Sequence, residues 1–252
     1  MRILVLNWFD WTHPLWGGAE VYLRETTRRL VERGHDVTLV CSTYGGAAPD
    51  EILEGVRVLR RGRFWTYHLE LPVHVRRIEA TVRADGNFQS GSAWDVVLEY
   101  TNKVPLLSPA WSPAPVVAIA HHLWGRSIFA ESAWPVATVV WASEFLIPIA
   151  YSAVPWLAVS ESTRAELAEW GIHPDHVAVA PNAIAGPPRG TRQAAVAPSP
   201  AGTPRVVWIG RMRRYKRVDV LLRAFAVVRA AIPDATLDLI GDGPEATALR
   251  QL

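Results

Sequence analysis

The sequence predicts an α/β protein with a doubly wound parallel sheet, followed by the start of a second unit of the same kind. Three observations lead there. Arg2–Trp8 is an unbroken apolar run, the pattern of a strand buried on both faces. Short runs of that type then alternate with helical stretches as far as Ala180. The same strand–loop–helix grammar begins again at Arg205.

Taken in order, Gly17-Gly18 opens a helix whose inward face is Ala19, Leu23, Thr27 and Leu30, and Gly34 stops it as a C-terminal cap. Asp36–Ser42 is the second buried strand. Val56–Leu59, Asp95–Glu99, Pro115–Ala120, Trp156–Val159 and Val177–Ala180 are further strands, with helices between most of them. Thr163 and Glu166 have capping-box spacing, and Gly171 can end that helix. Residues 1–182 are thereby assigned to an N-terminal domain. Residues 183–204 hold five of the 19 prolines among small residues with no apolar period, and read as a linker. Beyond it come a strand at Arg205–Ile209, a helix at Arg217–Ala231 with Leu221, Leu222, Phe225 and Val228 inward, and a strand at Thr236–Ile240. Gly241-Asp242-Gly243-Pro244 leads into a last helix. Two parallel strands with one crossover cannot cover both their faces. Residues 205–252 therefore read as the opening of a domain that is truncated at Leu252.

Composition narrows the class. With 252 residues, half of them hydrophobic, and twelve Trp, the chain can bury a real core. A net charge of +2 does not point to nucleic-acid binding. Cys41, the single cysteine, excludes an internal disulfide framework and a Cys-based zinc site. Nothing at the N-terminus reads as a signal peptide, so a cytoplasmic protein is expected. Residues 133–159 are apolar apart from Glu144, but Pro135, Pro148 and Pro155 break the run and Glu144 would sit in mid-span. Buried core elements are expected there rather than a membrane-spanning helix.

Several residues are placed for chemistry. Gly17-Gly18, between a strand and a helix N-terminus, offers backbone N–H groups and a positive dipole end to an anionic group, although any tight turn of this type also needs glycine. Gly210-Arg211-Met212-Arg213-Arg214-Tyr215-Lys216-Arg217 puts five cations in eight residues after a strand, where ligands bind in open α/β sheets. Arg213, Arg214 and Arg217 read as solvated. Lys216 is one of only two lysines beside 24 arginines, which suggests a site that wants an ammonium. Gly241–Ala246 matches the G-x-G-x-x-A dinucleotide pattern formally. His121-His122 follows a buried strand, where adjacent side chains point to opposite faces and cannot easily chelate one metal. One of the two can face a polar ligand, and Glu99 has the same strand-end placement. No Ser-His-Asp set, HExxH or P-loop is present. Phe64-Trp65-Thr66-Tyr67 lies among Arg60, Arg61, Arg63, Arg76 and Arg77. It reads as an ordinary helix or loop with solvated arginines, Pro72 interrupting its period, or as a surface for an anionic membrane.

Together, MRILVLNWF with WGGAE (16–20), DVVLEYTNKVP (95–105), AIAHHLWGRSIF (118–129), LAVSESTRAEL (157–167), APNAI (180–184), VVWIGRMRRYKRVDVLLRAF (206–225) and LIGDGPE (239–245) resemble the family 4 glycosyltransferases, in family order and over nearly the whole chain. The resemblance implies a GT-B-like fold of two Rossmann-like domains. It also implies retaining transfer of a sugar from an NDP-sugar, UDP- or GDP-linked, to an acceptor hydroxyl, in cell-surface glycan or glycolipid synthesis.

Under it Gly17 and Gly18 approach the donor's sugar-phosphate, His121 (rather than His122) meets the transferred sugar, and Arg211 and Lys216 grip the diphosphate. Asp242 and Gly243 lie near the base, and Asn182 belongs to the interdomain motif. No metal is needed, because fixed cations and helix ends stabilise the leaving diphosphate. The acceptor is a glycan or lipid-linked, with possible peripheral contact at the inner membrane face. The family's glutamate pair, seven residues apart, would follow Leu252, so weak or absent transfer is expected from these 252 residues. Two other classes compete: a non-catalytic sugar-nucleotide-binding scaffold that needs a partner chain, and an NAD-dependent oxidoreductase resting on Gly241–Ala246.

Overall fold

The computed structural model describes residues 1–85, 91–101, 103–182 and 204–252. The expected linker lies outside them except for Pro204. Two compact units emerge: Met1–Arg126 with Thr138–Ile184, and Ser127–Ala137 with Ala185–Leu252. Sequence reading placed Ser127–Ala137 with the first domain. The backbone N–H of Tyr215 bonds the carboxylate of Glu131 at 3.1 Å, which ties that segment into the second unit.

The first unit runs β1 (Arg2–Leu6), α1 (Gly18–Glu32), β2 (Asp36–Cys41), β3 (Asp50–Leu53), β4 (Val56–Arg60), α2 (Tyr67–Asp85), β5 (Val96–Thr101), β6 (Val116–Ala120), the part of α3 (Trp134–Glu144) from Thr138 on, α4 (Ile147–Ala150), β7 (Trp156–Ala158), α5 (Glu161–Glu169) and β8 (Val177–Val179). Its sheet has the order β3-β4-β2-β1-β5-β6-β7-β8 and is parallel except for β3, antiparallel to β4. In register, Leu4 faces Thr38 on one side and Val97 on the other. β1 shows why the run is apolar throughout. Leu4 and Leu6 pack with Tyr67, Leu71 and Val75 of α2, while Ile3 and Val5 pack with Leu23 of α1 on the opposite face. Each such side chain contributes about 1.5–3 kcal/mol on burial.

Several boundaries differ from expectation for local reasons. β1 stops at Leu6 because Asn7 turns its Nδ2 onto the Phe9 carbonyl at 2.6 Å. The N-cap of α5 is Ser160, whose Oγ accepts the Thr163 N–H at 3.1 Å, so Thr163 is inside the helix and is not its cap. Pro72 does not interrupt α2, which continues through it to Asp85. The β3–β4 hairpin was not expected, because Asp50-Glu51 hides an edge strand whose side chains are mostly exposed. Residues 133–159 contain α3, α4 and the whole of β7, and no helix among the described residues is long and apolar enough to cross a membrane.

The second unit contains β9 (Arg205–Ile209), α6 (Val218–Ala231), β10 (Thr236–Ile240) and α7 (Ala246–Leu249). β9 and β10 pair in parallel, Val207 opposite Asp238. Arg217 is not the first helical residue. It stands in the left-handed region at φ 51° and turns the chain into α6. Val228, expected inward, is exposed, since the two strands are too narrow to reach under that end of α6. Val206, Val207 and Ile209 of β9 are exposed as well.

Candidate functional site

The turn after β1 is organised by a buried ion pair. Asp10 accepts from Arg60 Nε at 2.7 Å, from the Thr12 N–H at 2.6 Å and from the Thr12 hydroxyl at 2.5 Å. Burial pushes its carboxyl up, but the bonds from Arg60 and Thr12 outweigh this and hold it below the ordinary range. Arg60 also reaches the Ala48 carbonyl and Glu51, each at 2.8 Å. Arg60 is therefore not the solvated arginine that the sequence suggested. Arg61 is likewise engaged, with the Pro49 carbonyl and Asp50.

At the end of the turn the Gly17 N–H donates to Glu20 Oε2 at 2.7 Å, and Gly17 caps α1 in extended conformation. A side chain at Gly18 would meet open space, so the first turn of α1 is open at Gly18 while Glu20 occupies the Gly17 N–H.

His121 follows β6, two strands from β1 across β5. Its ring lies edge-on to Tyr22 of α1 at 5.2 Å and roughly parallel to Tyr100 of β5 at 6.2 Å. Burial pushes its pKa down to about 4, so the ring is neutral near pH 7. Its Nε2 is buried without a hydrogen-bond partner among the described residues. Tyr22 lies one helical turn beyond Gly18, so the first turn of α1 and His121 share one neighbourhood. His122 is exposed and lies edge-on to Trp124 at 4.6 Å.

The loop that carries His121 is held from behind by residues whose role was not foreseen. Glu144, almost fully buried, accepts the N–H groups of Trp124 at 2.6 Å and Gly125 at 2.8 Å. Glu166 accepts that of Leu123 at 3.3 Å, and the Thr163 hydroxyl bonds the His121 carbonyl at 3.1 Å. Burial raises the Glu144 pKa, against the pull of its two backbone bonds. The one signal available in the sequence was a lone carboxylate in an apolar stretch.

Glu99 does not face a ligand. It is fully buried, and takes the Leu106 N–H at 2.9 Å, the Ser108 N–H at 3.1 Å, the Ser108 hydroxyl and the Tyr151 hydroxyl at 2.5 Å. It anchors the loop after β5 to the residue following α4.

In the second unit the two loops after β9 and β10 are joined along their backbones. Gly210 N bonds Ile240 O at 3.0 Å, Met212 N bonds Asp242 O at 2.8 Å, and Glu245 N bonds Met212 O at 3.1 Å. A Cβ at Gly241 would come 1.9 Å from Gly210 O, and one at Gly243 would come 2.4 Å from Met212 O. These glycines serve backbone-to-backbone approach between the two loops. The loops bring Arg211, Lys216, Asp242 and Gly243 to the carboxyl edge of one parallel strand pair. The first three are exposed, and the Lys216 ammonium lies 4.9 Å from the Tyr215 ring centre. A cavity of about 580 Å³ in this unit is lined by Arg213, Arg214 and Arg217 with Tyr215, Asp219 and Glu245, among others; Arg211 and Lys216 are not part of its wall. Among the described residues no group of His, Cys, Asp and Glu is placed to hold a metal.

A parallel sheet with helices on both faces, followed by a second strand–helix–strand unit that opens on a basic loop, is the arrangement of the GT-B fold. Residues 16–185 match the family model described as Glycosyltransferase Family 4, and residues 203–252 match that described as Glycosyl transferases group 1. The first match takes in more than half of the chain, which belongs to Glycosyltransferase Family 4.

Among solved structures, the chain is similar to Anabaena HepE in complex with UDP and glucose, at 18% identity and a TM-score of 0.60 over 100% of this chain. It is similar to sucrose-phosphate synthase from Thermosynechococcus elongatus, at 17% identity and 0.64 over 94%. It is also similar to the lipopolysaccharide outer core galactosyltransferase WaaB, at 13% and 0.57 over 100%. It spans 65%, 61% and 64% of the lengths of these three chains. Comparison with curated proteins gives no match.

Proposed function

We propose that the protein transfers a sugar from a nucleoside-diphosphate sugar to an acceptor hydroxyl with retention at the anomeric carbon, in the synthesis of a cell-surface glycan or glycolipid. The observation that carries this reading is the pair of backbone-joined loops that presents Arg211, Lys216 and Asp242 at the carboxyl edge of β9 and β10. Arg211 offers a planar fork and Lys216 a compact charge to the two phosphates, and both stabilise the diphosphate as it leaves. Such fixed cations replace a divalent metal in that role. Asp242 and Gly243 border the base. HepE, a structural neighbour, has been solved with UDP-glucose, which supports a nucleotide-sugar as the ligand class.

In the first unit the first turn of α1, open at Gly18, receives negative charge once the Glu20 carboxylate that holds the Gly17 N–H gives way. The neutral imidazole of His121 offers its unpartnered Nε2 to a hydroxyl of the transferred sugar. With the diphosphate accepting the acceptor's proton, no protein side chain has to serve as general base.

The test is incubation with a panel of UDP-, GDP- and ADP-sugars, with the product's anomeric proton followed by NMR. The expected result is selective binding of one nucleotide and, in the slow transfer expected of these 252 residues, a retained anomeric configuration, with His121→Ala abolishing that transfer while leaving diphosphate binding intact. An inverted product, or a His121→Ala variant as active as the parent, would overturn the assignment.

A further inference from the structure

We infer that the cavity of about 580 Å³ in the second unit binds a sugar that carries an anionic group, phosphate or carboxylate. The inference rests on the transferase reading only in taking that sugar for the acceptor. Its lining residues all belong to Ser127–Ala137 or Ala185–Leu252, so the cavity lies within one compact unit. Its volume is that of an ordinary small-molecule site.

Three charged side chains of the wall stand without a charged partner among the described residues. Arg213 is half-buried and Arg214 exposed, and neither guanidinium forms an ion pair there. The half-buried Glu245 carboxylate forms none either, although its backbone N–H is fixed to Met212 O at 3.1 Å. The remaining charges of the wall satisfy each other, Arg217 lying 3.2 Å from Asp219. Two guanidiniums and a carboxylate thus border one cavity without meeting. Guanidiniums fork onto phosphate or carboxylate oxygens, and a carboxylate accepts from hydroxyls. Phe129, Tyr215 and Val218 add apolar area for the carbon face of a ring. A sugar with an anionic substituent answers all three features.

A nucleotide fits this wall less well. None of Arg211, Lys216, Asp242 and Gly243, the residues placed around the donor, lines the cavity. Arg213 and Arg214 nevertheless stand between Arg211 and Lys216 on one loop. A sugar held by them lies beside the departing diphosphate, where an acceptor has to be. They are therefore not the solvated arginines that the sequence suggests.

The experiment is saturation-transfer NMR of the full chain with glucose 6-phosphate, glucuronate and glucose, each with and without excess UDP. Signals are expected from the anionic sugars and not from glucose at the same concentration, and they are expected to persist with UDP. A signal confined to glucose 6-phosphate assigns a phosphorylated acceptor, and one confined to glucuronate assigns a uronic acid. Arg213→Ala/Arg214→Ala is expected to bind them about tenfold or more weakly. Its circular dichroism is expected to be unchanged and its UDP affinity to stay within about threefold of the parent's. Glu245→Gln is expected to weaken both anionic sugars too, although it removes a like charge. Tighter binding by that variant, a glucose signal as strong as the others, displacement by UDP, unchanged affinity in the double variant, or no signal from either anionic sugar would overturn the proposal. Sugar signals in a parent that binds no UDP would leave this site standing and overturn the donor reading alone.

Discussion

The guanidinium of Arg60 lies 2.7 Å from the carboxylate of Asp10, and the two side chains are 1% and 0% exposed. They join the end of β4 to the loop that leads from β1 to Gly17. Removing one partner leaves the other charge buried and unpaired. Arg60→Met is expected to cost about 3–5 kcal/mol in urea unfolding. The double variant Arg60→Met/Asp10→Asn is expected to recover part of that loss. A single variant within 1 kcal/mol of the parent would contradict the account.

The two perturbed groups beside the β1 and β6 loops give acid sensitivity of the same sign. Asp10 has a depressed pKa in the fold, so its contribution is present above the unfolded carboxylate value and is lost as pH falls through the folded one. His121, pushed down to about 4, contributes fully above its unfolded value, near 6.5, and loses that contribution as pH falls from there toward 4. Its ring nitrogens are expected to titrate near pH 4 by NMR. A midpoint close to 6.5 would show that the ring is open to water.

Glu144 fixes the loop that carries His121 through two backbone bonds, and hydrogen bonds to charged groups contribute about 1.5–3 kcal/mol each. Glu144→Gln keeps the shape and removes the charge. Amide exchange at Trp124 and Gly125 is expected to accelerate at least tenfold. Unchanged protection at both positions would mean that the loop is held by other contacts.

Gly243→Ala tests why the second glycine of the Gly241–Ala246 turn is there. The added methyl would lie 2.4 Å from Met212 O, a distance that the backbone must move to relieve. The expected outcome is a loss of about 2 kcal/mol or more, together with weaker diphosphate binding. Binding at the parent's level would show that the loop tolerates a side chain there.

The order of strands and helices was legible because each buried strand is apolar on both faces, as Ile3–Leu6 shows. The β3 edge was not legible, since its exposed side chains carry no buried period. Glu99 and Arg60 were misread for one reason: a polar residue near a strand end looks the same in sequence whether it serves a ligand or a buried network. Only the positions of Ser108, Tyr151 and Asp10 decide between the two. Gly17, Gly18, His121, Arg211, Lys216, Asp242 and Gly243 lie after carboxyl ends of parallel strands, where strand–loop–helix grammar places them. The clamp on the His121 loop depends on α3, α5 and Thr163 meeting in space, which no local pattern records.

The most direct measurement of the central claim is ligand-detected NMR of UDP, GDP and ADP binding to the parent, to Lys216→Ala and to Arg211→Ala. The account predicts that one diphosphate binds selectively and that each variant loses the signal, a loss of about tenfold or more in affinity for a charge-assisted contact. Binding that persists unchanged in both variants would remove the basic loop from the site. Failure of the parent to bind any of the three would contradict the assignment of the second unit to the donor.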